Sequence, residues 1–347
     1  MLAKIKVWAQ EQWLFLILGI AVLIIALIAL RVNTRFWSID TMGSDTYFSW
    51  VEGRRILKGK NPYERILEGN MQENQKYATY FPLFYETSAL VQAAGFRRYE
   101  VWINFYRYIF LACNLAIGFV LYGLTFSKRA WALSLLAVLF WYFNRWTMAA
   151  SRSVALDFIP IFLMVLSLGI FDCHRKTSLL LFSFSLAFKQ IAIFLVPLYL
   201  IWEYQQSRSL RNTIAAGLWI ASIPLLSSIP FLFWNMEGFI KSIAFSATRN
   251  PDSLFGADSI DVIMNLGGLL ARIPLLVMLL GTYFVTGQKA IGRYGAAVLV
   301  MGIFIGFNPV LYVQYLAWLM PLLLLAVSEW IWVKYENSVT QENKEQL

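Results

Sequence analysis

Residues 178–202 read SLLLFSFSLAFKQIAIFLVPLYLIW, an apolar run of 25 residues with Lys189-Gln190 at its centre. As one α-helix, at about 1.5 Å per residue, it would measure roughly 37 Å. Basic residues flank it on both sides, Arg175 and Lys176 before it, Arg208 and Arg211 after it. Lys and Arg gather on the cytoplasmic side of membrane proteins, so basic loops at both ends predict that the chain enters and returns on one side. The run then folds as two half-helices, with the turn at Lys189-Gln190 and Pro197 breaking the returning half.

The rest of the chain agrees with a membrane reading. Of its 347 residues, 59% are hydrophobic and only 14% charged, whereas soluble domains average about 45–50% and about 25%. The net charge of +9 fits the positive-inside bias, and no nucleic-acid partner is expected. Two cysteines, Cys113 and Cys173, and one histidine, His174, exclude a disulfide framework and multi-histidine metal chemistry.

The first apolar run, Trp13 to Leu30, has no small-residue cleavage site after it and reads as an uncleaved first helix. Further crossings are predicted at Val101–Phe126, Ala130–Phe143, Val154–Phe171, Thr213–Trp234, Gly267–Thr286, Tyr294–Phe307 and Leu311–Val333. With the split run counted twice, about ten transmembrane helices result, both termini cytoplasmic. The basic loops Lys128/Arg129, Arg175/Lys176, Arg208/Arg211 and Lys289/Arg293 then share the inner face. The outer face receives the 31–100 segment, the Asn144–Ser153 link, the Asn235–Asn265 loop and the Asn308-Pro309 turn.

Between Arg31 and Glu100 stand ten Lys/Arg and eight Asp/Glu, too many for the bilayer core. Two stretches there, Ser44–Lys58 and Tyr80–Phe96, read as amphipathic helices at the interface. The second is apolar enough to compete as a crossing, but it holds Pro82 and Glu86. The chain is thus expected to be one all-α polytopic domain, 1–335, with an outer loop at 31–100 and a disordered cytoplasmic polar tail at 336–347.

Several motifs follow one another in this frame: Gly43-Ser44-Asp45-Thr46-Tyr47-Phe48, then Gly59-Lys60-Asn61-Pro62-Tyr63, then Thr79-Tyr80-Phe81-Pro82-Leu83. Later come Ala187-Phe188-Lys189-Gln190 and Tyr312-Val313-Gln314-Tyr315-Leu316-Ala317-Trp318. In their order and spacing these resemble the GT-C superfamily of membrane glycosyltransferases, most closely the polyprenol-phosphate-mannose-dependent glycosyltransferase family 87. Two departures stand out. Phe81 occupies the place of a usual proline, and Ala155-Leu156-Asp157 replaces a Gly-Gln-x-Asn-like element.

The resemblance implies a GT-C-type fold and an inverting hexosyltransferase, with a polyprenyl-phosphate sugar (mannose or a related hexose) as donor. The acceptor would be a glycolipid or glycan, the site would face outward from the plasma membrane, and no cofactor or metal would be needed. Its position for the general base falls on Asp45. The chemistry agrees, since transfer to a hydroxyl needs a proton acceptor and no histidine lies on that face, although Asp40 is also near. Asp45 has a competing reading as a helix N-cap.

A phosphate leaving group needs cations. Lys189 is the leading candidate, with Arg107, Arg54 and Arg249 behind it and Arg145 and Arg152 as further possibilities; Arg54 has an alternative as an anionic-lipid contact, and Arg145, Arg152 and Arg249 as interface anchors. Lys189 has its own alternative as a lysine snorkelling to the interface, and a lysine at bilayer depth calls for a partner. Tyr47, Tyr80, Gln190, Gln314 and Tyr315 are the expected substrate contacts. The fourteen tryptophans read mostly as belt residues at helix ends. The competing function is a secondary transporter or lipid flippase with Lys189 in its path.

Overall fold

In the computed structural model, which describes residues 2–37, 41–70, 77–126, 131–248, 250, 258–266 and 272–345, helices form wherever the apolar runs lie, and the described residues contain no strand. They are α1 (Leu2–Arg35), α2 (Asp45–Leu57), α3 (Leu83–Ala93), α4 (Tyr99–Thr125), α5 (Trp131–Phe143), α6 (Arg145–Arg152) and α7 (Phe158–Ile170). Then come α8 (Arg175–Phe188), α9 (Val196–Ser207), α10 (Leu210–Trp234), α11 (Met236–Thr248), α12 (Ile260–Ile263), α13 (Arg272–Gly287), α14 (Arg293–Gly306) and α15 (Val313–Glu345). Short 3-10 turns occupy Pro62–Glu68 and Gln190–Leu195.

Four helices among these residues are long and apolar enough to cross a membrane, at Trp13–Arg35, Tyr99–Thr125, Leu210–Trp234 and Val313–Trp332. Four shorter apolar helices, α5, α7, α13 and α14, accompany them. The chain is a helical protein built for a membrane.

The run that opened the reading is split where its lysine stands. Lys189 has extended backbone (φ −160°, ψ 118°), which ends α8 and starts the 3-10 turn. The two halves fold back on one another. Arg175 at the head of α8 lies 3.3 Å from Glu203 near the end of α9. Phe182 stacks on Tyr199 with ring centroids 4.3 Å apart. Ser167 on α7 joins the hairpin, bonding the Tyr199 hydroxyl at 2.8 Å and donating to the Ser178 carbonyl at 2.7 Å. Pro197 does not break the returning half. It sits in the first turn of α9, where its missing N–H has no intrahelical partner to lose.

Because α7, α8 and α9 alternate in direction, the loops after α7 and after α9 fall at one end of the bundle and the turn at Lys189 at the other. Asp172 takes both Arg293 terminal nitrogens, at 2.8 and 2.7 Å, and the Gln206 amide at 2.7 Å. Hydrogen bonding from the Arg293 guanidinium holds the Asp172 carboxyl below the usual range despite partial burial. Gln205 reaches the carbonyl of Thr286 at 2.8 Å, and Glu329 accepts the N–H groups of Tyr294 and Gly295. The loops after α7, α9 and α13 therefore meet at one end of the bundle; Lys128 and Arg129 lie outside the described residues.

At the opposite end, α2 and α3 lie against each other over the bundle. Their approach depends on Gly53: a Cβ there would stand 2.5 Å from the Ser88 hydroxyl oxygen and 2.9 Å from the Ala89 nitrogen. With 11 residues, α3 is only about 16 Å long at about 1.5 Å per residue, and it packs along α2. Glu52, buried on α2, pairs with Arg65 at 2.8 Å and Arg55 at 3.3 Å, tying the first 3-10 turn to α2. Burial pushes its carboxyl above the usual range, and the two arginines oppose that shift.

Three expected loops carry structure. The Asn144–Ser153 link is α6, capped by Asn144, whose side-chain oxygen accepts from Trp146 and Thr147 N–H. The Asn235–Asn265 loop contains α11 and α12. The backbone of α15 is helical through Glu345, in keeping with the strong helix formers Gln, Glu and Lys there.

Two outcomes are expected. Gly53→Ala should cost about 1–3 kcal/mol of stability, the usual range for overpacking a close contact; thermal unfolding in detergent measures it, and an unchanged midpoint would contradict the α2–α3 packing. For topology, the exposed native Cys173, in a Cys113→Ser background, should react with a membrane-impermeant maleimide on one side of sealed vesicles. A cysteine placed at Lys58, with both native cysteines replaced, should react only from the other. Labelling of both from one side would refute the two-ended arrangement.

Candidate functional site

The turn before α2 frees Asp45. Gly43, at φ +81°, bends the chain, a conformation that favours glycine. Ser44 then serves as N-cap, its hydroxyl oxygen accepting the Tyr47 N–H at 3.2 Å. Capping, the competing role for Asp45, thus falls to its neighbour. The Asp45 carboxylate instead leans into the bundle from the first turn of α2, where the helix dipole favours a negative charge.

Three chain-distant groups meet it. The Tyr80 hydroxyl donates to Asp45 Oδ2 at 2.8 Å, the Gln314 amide donates to the same oxygen at 3.1 Å, and Lys189 Nζ lies 3.9 Å away. The carboxylate stays 19% exposed. Tyr80 is held from several sides: Tyr63 donates its hydroxyl to the Tyr80 carbonyl at 2.7 Å, and the Gln190 amide donates to the carbonyl of Thr79.

Lys189 lies beneath. Its side chain is wholly buried, and Nζ bonds both oxygens of Asp157 at 2.9 Å. Trp318 adds an indole N–H to Asp157 Oδ1 at 2.6 Å. The ammonium also lies 4.8 Å from the ring centre of Tyr80 and 6.0 Å from that of Tyr315. Lys189 is therefore neither snorkelling nor open to a phosphate in this structure, because Asp157 occupies it.

Beside the cluster lies a cavity of about 250 Å³, lined by Tyr80, Gln190, Tyr315, Asn308 and Arg272 among others. Arg272 donates to Asp261 at 2.7 Å and to the Phe307 carbonyl at 2.9 Å, while its Nη2 is buried with no partner.

The expected site residues thus divide. Asp45, Tyr80, Gln190, Gln314, Tyr315 and Lys189 come together. Tyr47, Arg54 and Arg107 do not join them, and the reason is helical periodicity: Tyr47 and Arg54 lie two and nine residues after Asp45, about 200° and 180° around the helix. They line a second, basic and aromatic cleft with Arg107. Arg145 and Arg152 line a third cavity that shares Thr41 and Met42 with the second. Arg249 and Asp40 lie outside the described residues.

Three contributors escaped the sequence reading. Asp157 was legible in principle, since a lysine at bilayer depth needs a counter-charge and Asp157 stands at the mouth of an apolar run. Trp318 is no belt residue; it is fully buried, as are Trp102 and Trp141. Arg272 opens α13, and no spacing signal marked it. Compared with models of known families and with curated proteins, the chain matches none.

The pair itself is testable. Lys189→Met should strand Asp157 and cost about 3–5 kcal/mol, whereas Lys189→Met/Asp157→Leu should recover most of it. The deficit left would be about 1–3 kcal/mol for the orphaned Trp318 N–H. Unfolding free energies in mixed micelles decide this; a double variant no more stable than either single one would show that the pair is not a coupled unit.

Proposed function

We propose that the chain is an integral-membrane, inverting glycosyltransferase that moves a hexose from a polyprenyl-phosphate donor to an acceptor hydroxyl. The observation that carries this reading is Asp45. It is a partly exposed carboxylate fixed through one oxygen by Tyr80 and Gln314, from elements 35 and 269 residues away, beside a cavity with an arginine on its wall.

In this reading Asp45 takes the proton of the acceptor hydroxyl as that oxygen attacks the anomeric carbon. The bond from that carbon to the phosphate oxygen breaks with inversion, and polyprenyl phosphate departs with the electron pair. Tyr80 and Gln314 hold the carboxylate at a constant angle, and the Lys189–Asp157 pair fixes the floor. The leaving phosphate falls to Arg272, whose Nη2 lacks an acceptor and whose side chain borders the cavity shared by Tyr80, Gln190 and Tyr315. Mannose is the sugar the motif resemblance favours.

The topology that goes with it has ten crossings: α1, α4, α5, α7, the two halves α8 and α9, α10, α13, α14 and α15. Both termini are cytoplasmic, with Asp45 on the outer side of a plasma membrane. The transporter alternative has less support, since Lys189, its substrate-path residue, is completely covered.

The test is transfer of labelled hexose from polyprenyl-phosphate mannose onto candidate glycan or glycolipid acceptors by the purified protein. Asp45→Asn should lower turnover by about 10²–10⁴-fold, the usual worth of a positioned base, with donor binding largely kept. Stability should change little, because Ser44 and not Asp45 makes the cap. A near-native rate for Asp45→Asn would remove Asp45 from this role.

A further inference from the structure

One side of α6 faces the third cavity, which holds about 650 Å³. Arg145, Met148, Ala149 and Arg152 all line it, and their i, i+3, i+4, i+7 spacing is that of a single helix face. The opposite side of α6, with Thr147, Ala150 and Ser151, is buried, and α15 packs on the helix. The two arginines leave the helix roughly 10 Å from each other along its axis, with a short apolar floor of Met148 and Ala149 between them. Both are exposed. Among the described residues neither has a hydrogen-bond or ion-pair partner, and no described carboxylate lines the cavity. Arg152 rests on an aromatic face, its guanidinium carbon 5.0 Å from the ring centre of Phe36. Two guanidinium groups without a protein counter-charge, bordering one hollow, suit the oxygens of a phosphate or a carboxylate.

Its height points to an amphiphile. The apolar span of α1 ends at Arg35, and the apolar helix α5 ends at Phe143. Phe143 lines the cavity, as does Met42, which is 67% exposed. The cavity therefore opens where two apolar helices run out, which in a membrane is the headgroup level. A soluble anion would engage the arginines and leave Met42, Met148 and Phe143 uncovered. An acidic amphiphile engages the arginines and covers the apolar groups as well.

Its position relates it to Asp45. Ser44 lines this cavity, and Asp45 is the next residue. Tyr80, whose hydroxyl bonds Asp45, lines the smaller cavity together with Arg272. No described residue lines both cavities, so Asp45 stands between them. Inverting displacement puts the attacking oxygen and the leaving group on opposite faces of the sugar carbon. With the leaving phosphate at Arg272, the acceptor enters from the α6 side. We propose that the third cavity is the acceptor's site and that the acceptor is an acidic amphiphile. Arg145 and Arg152 hold its phosphate or carboxylate, and one of its hydroxyls is presented to Asp45. That hydroxyl gives its proton to Asp45 while its oxygen replaces the phosphate oxygen on the anomeric carbon. The assignment rests on the transfer reading above.

Two measurements on the full chain in phosphatidylcholine nanodiscs test it. The first uses phosphatidylglycerol, which carries an acidic phosphate and free hydroxyls, and identifies the lipid retained by native mass spectrometry. The wild type should retain it over phosphatidylcholine. Arg145→Gln/Arg152→Gln should weaken that retention about tenfold or more, the contribution of a charge-assisted hydrogen bond. Arg152→Glu alone should weaken it too, which keeps the question answerable if the double variant misfolds. Lys176→Gln/Arg211→Gln, at the other end of the bundle, should leave it unchanged, and free glycerol 3-phosphate at equal concentration should not displace the lipid. The second measurement supplies labelled polyprenyl-phosphate mannose and a total polar lipid extract, destroys residual donor with mild acid and separates the products by anion exchange. Label should appear in an acidic lipid. Arg145→Gln/Arg152→Gln should raise the extract concentration needed for half-maximal rate and leave the donor KM unchanged. Retention indifferent to both arginines, displacement by glycerol 3-phosphate, or label in neutral lipids would each overturn the proposal. No transferred label, with retention still dependent on the arginines, would refute the transfer reading and the acceptor role with it, and would leave an anionic-lipid site standing.

Discussion

A lysine ammonium wholly removed from solvent has to be answered by a carboxylate, and in this chain the answer organises one whole end of the molecule. Lys189 bonds both oxygens of Asp157, and that pair joins the break in the α8–α9 hairpin to the mouth of α7. Trp318 brings α15 to the same carboxylate. The extended backbone at Lys189 is tolerable within an apolar bundle only because it is enclosed by protein, since unpaired backbone facing lipid is costly. The break that lets the chain reverse is thus the same break that carries the ammonium into the interior. Asp45, Tyr80 and Tyr315 then find the ammonium already in place beneath them.

Much of this was legible in the sequence, for reasons that can be separated. The hairpin could be read because a charge rule and a length conflicted: basic residues stand on both sides of a run that, as one helix, would put them on opposite faces. Asp45 and Tyr80 could be read as partners only through motif order, because 35 positions separate them and no local rule joins them. Asp157 was half legible, as the partner a buried lysine must have, but its place in an otherwise apolar segment looked like a departure from pattern. Arg272 was not legible. Its place follows from a cavity bordered by α13, the 3-10 turn after Lys189 and the Asn308 turn, and a sequence does not show which loops close over one another.

The division between Asp45 and the arginine cleft has a simpler origin. Proximity in sequence brought Asp45, Tyr47 and Arg54 into one imagined site, yet a helix sets residues two or nine apart on opposite faces. On α2 both faces are rich in polar and aromatic groups, so burial pattern alone gave no warning. One face carries Asp45, Ser49 and Glu52 inward, all turned toward fixed partners. The other carries Tyr47, Trp50 and Arg54 toward the cleft. A helix of 13 residues separates the Asp45 cluster from the arginine-lined cleft.

The two ends of the bundle use their ionic groups differently. At the basic-loop end, Asp172 is met by Arg293 and Gln206, Glu203 by Arg175, and Glu329 by backbone N–H groups. Those contacts close loops onto one another, and the carboxylates there are engaged in holding the fold. At the Asp45 end the deep carboxylate is engaged too, since Asp157 takes the ammonium. Asp45 differs from it: its carboxylate lies 3.9 Å from the ammonium, accepts from Tyr80 and Gln314, and stays 19% exposed, whereas Asp157 is buried.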